Sequence, residues 1–372
     1  MRLLIFIHSL HAGGAERVTA NLANHWAGRG WQVTVATLTS EERDFYTLHP
    51  AVRRVALDVA GVSASALAAV GGNVQRIRAV RRMLKDVRPD VALAMMSTAN
   101  ILLALAAWGL KPLVAVGSER IHPPRLPLGR AWETLRRHAY GRLDAVVALT
   151  EESANWLSAH TAAQRRPVIP NAVSWPLPLQ APRVPVPSLG AEQRLLLAVG
   201  RLTQQKGFDL LITAFARVAA DFPAWRLAIL GDGSDRVALE ARIAACGLSD
   251  RVLLPGRAGN VGEWYAAADL YVMSSRFEGF PNTVVEAMAH GLPTISFDCD
   301  TGPRDIIRHE TDGLLVSPED VAGLTTALAE LMGDDARRQK FCARALDVRE
   351  RFSMERIAGV WESLFQELRH VH

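Results

Sequence analysis

The sequence predicts an α/β protein built from two doubly wound, Rossmann-like domains that face each other across a cleft. Three observations predict it. Short apolar segments alternate with helix-length amphipathic ones along nearly the whole chain. That alternation restarts after a proline-rich break, and 372 residues are more than one ordinary core accommodates.

In the first half, "LLIFIHS" reads as a buried strand and "GGAERVTANLANHWAGRG" as the helix after it, ended by Gly30. "WQVTVATL" is the next strand, "VQRIRAVRRMLKDVRPD" a helix stopped near Pro89, and "VALAMM", "LVAVGSE" and "LDAVVALT" further strands. Residues 91–110, "VALAMMSTANILLALAAWGL", carry no charge and are long enough to span a bilayer. Ser97, Thr98 and Asn100 interrupt them, however, and the reading is strand, polar turn, buried helix and strand, with no span. Residues 176–190 hold five prolines and no helical period, a stiff linker. Beyond it come strand "RLLLAVG", helix "KGFDLLITAFARVAADF", strand "WRLAILG", helix "DRVALEARIAACG" and strand "RVLLPG". Helix "VGEWYAAA", strand "LYVMSS", helix "NTVVEAMAHG" and strand "PTISFD" follow. The expected domains are therefore 1–175 and 191–352. In the last segment Ile357, Val360, Trp361, Leu364, Phe365 and Leu368 form a helical stripe.

Composition narrows the class. Hydrophobic residues make up 49% and charged residues 22%, the balance of a folded chain rather than a disordered one. Cys246, Cys299 and Cys342 are scattered without CxxC spacing, which reads as reduced thiols in a cytoplasmic protein with neither disulfide nor zinc. No small-residue cleavage site follows the N-terminal apolar run, so a first strand is preferred to a signal peptide.

The candidate chemistry lies where strands hand over to helices, because backbone N–H groups and the helix dipole favour anions there. Gly13-Gly14 follows the first strand and lets backbone approach a ligand closely; a tight structural turn explains it equally well. It is not GxGxxG and no acid is placed for a ribose, which disfavours a nicotinamide dehydrogenase. Arg201 and Lys206 leave a buried strand just before a helix. They are either a diphosphate-neutralising pair or two solvated loop cations. Gly231-Asp232-Gly233 reads as a turn, with Asp232 or Ser234 capping the next helix.

In "SSRFEGFPNTVVEAMAHGLP", Glu278 falls on the loop at a strand's carboxyl end. Pro281 falls in a helix's first turn with Asn282 or Thr283 as cap, and Glu286 one turn inside. Two carboxylates eight residues apart beside two cations suit sugar hydroxyls, since each carboxylate accepts two hydrogen bonds. A glycosidase-like acid and nucleophile pair is the other use of such residues. The cations favour a diphosphate leaving group instead.

Taken together, "GGAERV", "VGRLTQQKGFDLLI", "GDGSD" and the Glu278…Glu286 element make the chain resemble glycosyltransferase family 4, with the GT-B fold, over nearly its whole length. "DTGPRDII" is similar to a branch acting on lipid-linked oligosaccharides and surface polysaccharides. The resemblance implies transfer with retention and without a metal ion, and that the C-terminal helix, 353–372, crosses back to pack on the first domain. It implies that Glu286 holds the ribose hydroxyls, Glu278 the donor-sugar hydroxyls, and Arg201 and Lys206 the diphosphate. Gly13 and Gly14 would close on it, the backbone of Gly279, Phe280, Pro281 and Asn282 would contact sugar or phosphate, and the segment holding Gly256 and Arg257 would line the base. Many relatives carry a histidine after the fourth strand of the first domain. Here "VGSERIHPPR" has Arg120 in that place and His122 two further on. Arg120 cannot serve as a base near neutral pH, but it can donate to a phosphate or an acceptor.

The helix around residues 76–88 sets Arg76, Arg78, Arg81, Arg82, Lys85 and Arg88 against Asp86, and Arg136, Arg137 and Arg142 follow later. With a net charge of only +4 the basicity is local. It suits an anionic membrane surface at the inner face, or a solvated outer helix. Nucleic acid is not expected, since no aromatics interleave for stacking. The expectation is a retaining transferase that moves a hexose or N-acetylhexosamine from a UDP-sugar to a polyprenyl-linked or saccharide acceptor, with no cofactor. A GDP-mannose-dependent mannosyltransferase is the nearest alternative, and a non-catalytic sugar-nucleotide-binding protein a further one.

Overall fold

The computed structural model describes residues 1–11, 13–61, 66–190 and 192–371, with backbone alone at 66–69. Ala12 in the glycine turn, Ala191 at the expected start of the second domain and His372 at the end of the expected final segment lie outside the described residues. The chain forms two compact units, Met1–Ala172 with Met354–His372, and Val173–Ser353.

In the first unit, parallel strands β1 (Arg2–Ile7), β2 (Gln32–Thr37), β3 (Arg53–Ala56), β4 (Val91–Met95), β5 (Val114–Ser118) and β6 (Ala145–Val147) lie in the order β3-β2-β1-β4-β5-β6. Helices α1 (Gly14–Gly28), α2 (Ala66–Val87), α3 (Ser97–Ala106), α4 (Arg130–Ala139) and α5 (Glu151–His160) connect them. Leu3 pairs with Val33 on one side and Val91 on the other, so β1 is central. Every residue of β4 and β5 is buried, which is why both read as continuous apolar runs. The uncharged stretch at 91–110 resolves into β4 and the buried helix α3, separated by Met96 at φ 82°. Ser97 and Asn100, expected in a polar turn, begin α3 instead. Among the described residues no helix is long and apolar enough to cross a membrane.

The basic segment is less uniform than its sequence. Arg81 donates to the carbonyls of Ala106 (2.7 Å) and Trp108 (2.8 Å), closing the open end of α3. Arg76 donates to the carbonyls of Val59 and Gly61. Arg136 is buried and lies 4.6 Å over the Trp156 ring, and Arg142 lies 4.5 Å over Trp108. Arg78, Arg82, Lys85 and Arg88 remain exposed.

In the second unit, β7 (Arg194–Val199), β8 (Trp225–Leu230), β9 (Val252–Gly256), β10 (Leu270–Met273), β11 (Thr294–Phe297) and β12 (Gly313–Val316) repeat the same topology, β9-β8-β7-β10-β11-β12. Helices α6 (Phe208–Val218), α7 (Arg236–Ala245), α8 (Val261–Ala267), α9 (Asn282–Ala289), α10 (Pro303–Ile306), α11 (Val321–Gly333), α12 (Asp335–Ala345) and α13 (Val348–Arg351) complete it. The proline-rich segment, expected as a linker, is pinned to this unit. The Asn260 side chain bonds both backbone groups of Val184, Trp264 donates to the Val184 carbonyl, and Gly259 N–H donates to Pro182 at 2.7 Å.

The last helix, α14 (Met354–Val371), belongs to the first unit. Its Phe365 ring lies 5.8 Å from that of Trp26 on α1, and Glu362 accepts from Trp26 Nε1 at 3.1 Å and pairs with Arg29 at 2.9 Å. Ile357, Ala358, Trp361, Leu364, Phe365 and Leu368 form its buried face, whereas Val360, counted in the expected stripe, is 43% exposed. At 100° per residue it falls to one side of that face.

Candidate active site

In a doubly wound sheet the crevice for ligands opens at the carboxyl ends of the two strands where the order reverses. In the second unit these are β7 and β10, paired through Leu270–Leu196 and Tyr271–Leu197. The loop after β7 carries Arg201 and Lys206, and the loop after β10 carries Glu278. The two loops are locked together. Gly207 adopts φ 61°, where a side chain would be strained, and a Cβ there would lie 2.0 Å from the Ser274 carbonyl oxygen. Ser274 Oγ donates to the Lys206 carbonyl, Gln205 Nε2 to the Phe277 carbonyl, and Arg276 pairs with Asp209 at the start of α6.

Held this way, Lys206 Nζ meets Glu278 Oε1 at 2.6 Å. Ser275 Oγ donates to the same carboxylate oxygen at 2.7 Å, and Thr301 Oγ1 donates to the Glu278 carbonyl at 2.6 Å. Glu278 is 8% exposed and Glu286 5%. Glu286 stands on α9 and accepts from Tyr265 Oη at 3.3 Å. Both charges act on the buried hydroxyl of Tyr271 on β10. Burial pushes that hydroxyl's pKa up, and the charges of Glu286 and Glu278 push it further. Arg201 is exposed on the first loop. Two acids, one cation bonded to Glu278 and one standing in solvent are therefore carried by the segments that follow β7 and β10.

The neighbouring predictions need adjustment. Pro281 is the N-cap of α9, in extended conformation, rather than a first-turn residue; no side chain caps the helix, and Asn282 is its first residue. Gly279, Phe280 and Pro281 are buried, with the Phe280 ring 5.5 Å from Phe352. Neither Asp232 nor Ser234 caps α7: its N-cap is Asp235, without a side-chain bond, and Asp232 instead pairs with Arg236 at 3.2 Å. Gly256 closes β9 at φ 96° and its carbonyl accepts from Gly231 N–H, with Arg257 exposed next to it. Ser275, Thr301, Tyr265 and Arg276 hold the site and were not singled out in the sequence. Serine, threonine, tyrosine and arginine in loops carry no pattern that distinguishes such a role.

In the first unit, Gly13 caps α1 at φ −164°, an ordinary extended conformation, and its carbonyl accepts from Tyr46 Oη and Arg17 N–H. Gly14 is the first residue of the helix. After β5, Glu119 is fully buried, accepting from Ser97 Oγ at 2.6 Å and from Tyr140 Oη, while burial raises its pKa. Arg120 is also buried, donating to Ser118 Oγ (3.1 Å) and Asn171 Oδ1. His122 stands half-buried on the following loop with Nδ1 3.0 Å from Ser153 Oγ. Among the described residues no cluster of three or more His, Cys, Asp or Glu side chains is placed to hold a metal ion.

Residues 12–174 match the family model described as Glycosyltransferase Family 4, and residues 185–347 match that of Glycosyl transferases group 1. A lipopolysaccharide core biosynthesis mannosyltransferase of Rhizobium leguminosarum is 33% identical over 68% of this chain and 76% of its own. The Campylobacter jejuni α-1,4-N-acetyl-D-galactosaminyltransferase named for a diNAcBac-PP-undecaprenol substrate is 25% identical over 100% of this chain and 99% of its own. An exopolysaccharide phosphotransferase of Streptomyces coelicolor is 36% identical over 80% of this chain, a match that spans 30% of that longer protein. Among solved structures, sucrose-phosphate synthase of Thermosynechococcus elongatus shares the fold with a TM-score of 0.82 at 20% identity, covering 100% of both chains. Anabaena HepE, solved with UDP, does so with 0.77 at 18% identity, covering 99% of this chain and 100% of that one. The chain belongs to glycosyltransferase family 4, and its two doubly wound units are those of the GT-B fold.

Proposed function

We propose that this glycosyltransferase moves a hexose or N-acetylhexosamine from a UDP-sugar to a lipid-linked or polysaccharide-precursor acceptor, with retention of configuration and without a metal ion. The observation that carries the reading is the Lys206–Glu278 pair at the strand-order reversal of the second unit, with Arg201 and Glu286 beside it. Lys206 and Arg201 neutralise charge that grows on the departing diphosphate, so they act most strongly in the transition state. Glu278 orients the sugar hydroxyls, Glu286 the ribose, and the backbone from Gly279 to Asn282 lines the sugar and phosphate. The segment at Gly256 and Arg257 flanks the base. The acceptor hydroxyl attacks from the face the diphosphate leaves, and a diphosphate oxygen takes its proton. The C. jejuni relative, named for an undecaprenol-linked glycan, and the UDP complex of the HepE fold neighbour support the choice of acceptor and nucleotide.

A second reading, a mannosyl donor carried on GDP, is favoured by the 33% identity to a mannosyltransferase. A panel of UDP-, GDP- and ADP-sugars, followed by hydrolysis and by transfer to a prenyl-diphosphate-linked sugar, separates the two. NMR of the product anomer tests retention, and turnover in EDTA tests metal independence. No turnover with any donor, alongside tight nucleotide binding, would leave a non-catalytic binding protein.

A further inference from the structure

We propose that Arg120 is the anion-binding residue of the first unit and takes a phosphate oxygen of a substrate. It leaves the carboxyl end of β5, the edge at which doubly wound sheets receive ligands. The residue is buried, 9% exposed, and its bonded partners, Ser118 Oγ and Asn171 Oδ1, are both neutral. Its Nε has no hydrogen-bond partner among the described residues. The adjacent acid, Glu119, is engaged by Ser97 and Tyr140 instead. Burial lowers the guanidinium's pKa to about 9 with no carboxylate opposing it, so the group is still charged at neutral pH.

A buried cation without a counter-charge is costly, and a neutral side chain would tie Ser118 to Asn171 without that cost. The charge therefore has a use that the two bonds do not explain. A guanidinium whose Nε–H is uncommitted, among hydroxyl and amide groups, suits a phosphate oxygen. Two substrates offer one, the donor's diphosphate and a prenyl-linked acceptor's diphosphate; that identification rests on the function proposed above.

The test is equilibrium binding of UDP, inorganic pyrophosphate and farnesyl diphosphate to the full chain, comparing wild type with Arg120→Gln, Arg120→Lys and Lys206→Ala. Arg120→Gln is expected to weaken at least one ligand by about tenfold or more, the scale of one charge-assisted hydrogen bond. Arg120→Lys should fall between, since it keeps the charge and loses the fork. Weakening confined to UDP assigns the phosphate to the donor, and weakening confined to farnesyl diphosphate assigns it to the acceptor. If both Arg120 variants bind all three ligands as wild type does, the proposal is overturned. Should Lys206→Ala lose UDP while neither Arg120 variant weakens any of the three ligands, the second-unit site stands and Arg120 has no such role. A wild type that binds pyrophosphate through Arg120 but no nucleotide leaves this proposal standing and removes the donor reading. A wild type that binds none removes both. If Arg120→Gln does not fold, Arg120→Lys with a wild-type circular dichroism spectrum decides by the same comparison.

Discussion

Lys206 and Glu278, 72 residues apart in sequence, close an ion pair of 2.6 Å where the strand order of the second sheet reverses. Neither loop alone would present this arrangement. The left-handed Gly207, the Ser274 bond to the Lys206 carbonyl and the Arg276–Asp209 pair fix one loop against the other. A donor diphosphate and sugar entering there would exchange this pair for bonds to substrate, one partner each.

Lys206→Ala should therefore act mainly on turnover. Removing one preorganised donor to developing charge costs about 100-fold or more in kcat, with a smaller change in donor KM. Steady-state kinetics at saturating acceptor measures it. An unchanged kcat with a raised KM would mean that Lys206 contributes uniform binding only.

Glu286→Gln should show the opposite pattern. Its bonds to ribose would be equally strong in ground and transition states, so donor KM should rise by about tenfold or more with kcat little altered. A fall in kcat at constant KM would move Glu286 to the reacting sugar.

The basic face of α2 makes a prediction that separates its residues. Changing exposed Arg78, Arg82 and Lys85 to Glu should abolish sedimentation with anionic vesicles at low salt and leave turnover of a short water-soluble acceptor intact. Arg81→Glu should instead lower the melting temperature, because Arg81 closes the carbonyl end of α3. Equal sedimentation of the triple variant and wild type would remove the membrane reading.

Glu119 gives a pH signature. Burial raises its folded-state pKa above the ordinary 4.5. The folded chain thus keeps a proton that the unfolded chain releases above that value, so the stabilisation is complete below about pH 4.5 and is lost as pH rises through the folded-state pKa. Glu119→Gln, always neutral, should show a shallower decline in melting temperature from pH 4.5 towards neutrality than wild type. Parallel curves would contradict it.

Strand-and-helix alternation was legible because β1, β4, β5, β7 and β10 are buried on both faces and leave unbroken apolar runs. The edge strand β3, "RRVA", was not, since it is half-buried and opens with two arginines. The acids and cations of the second unit were readable from their places at strand ends. Their mutual pairing was not, because it depends on β7 and β10 being neighbours, a long-range fact that local pattern does not carry. Basicity misled in the opposite sense: Arg76, Arg81 and Arg136 resembled a charged surface but commit their donors, or in Arg136 the guanidinium face over Trp156, to internal contacts.

The most direct measurement is kcat of Glu278→Gln with the donor that wild type uses. Glutamine keeps the shape and removes the charge that the proposed function sets next to the reacting sugar. With Glu278 orienting that sugar, kcat should fall by about 100-fold while donor affinity changes less, and circular dichroism should stay that of wild type. A folded Glu278→Gln protein that retains full kcat would make Glu278 a loop-fixing residue held by Lys206 and Ser275, and would contradict its assignment to the active site.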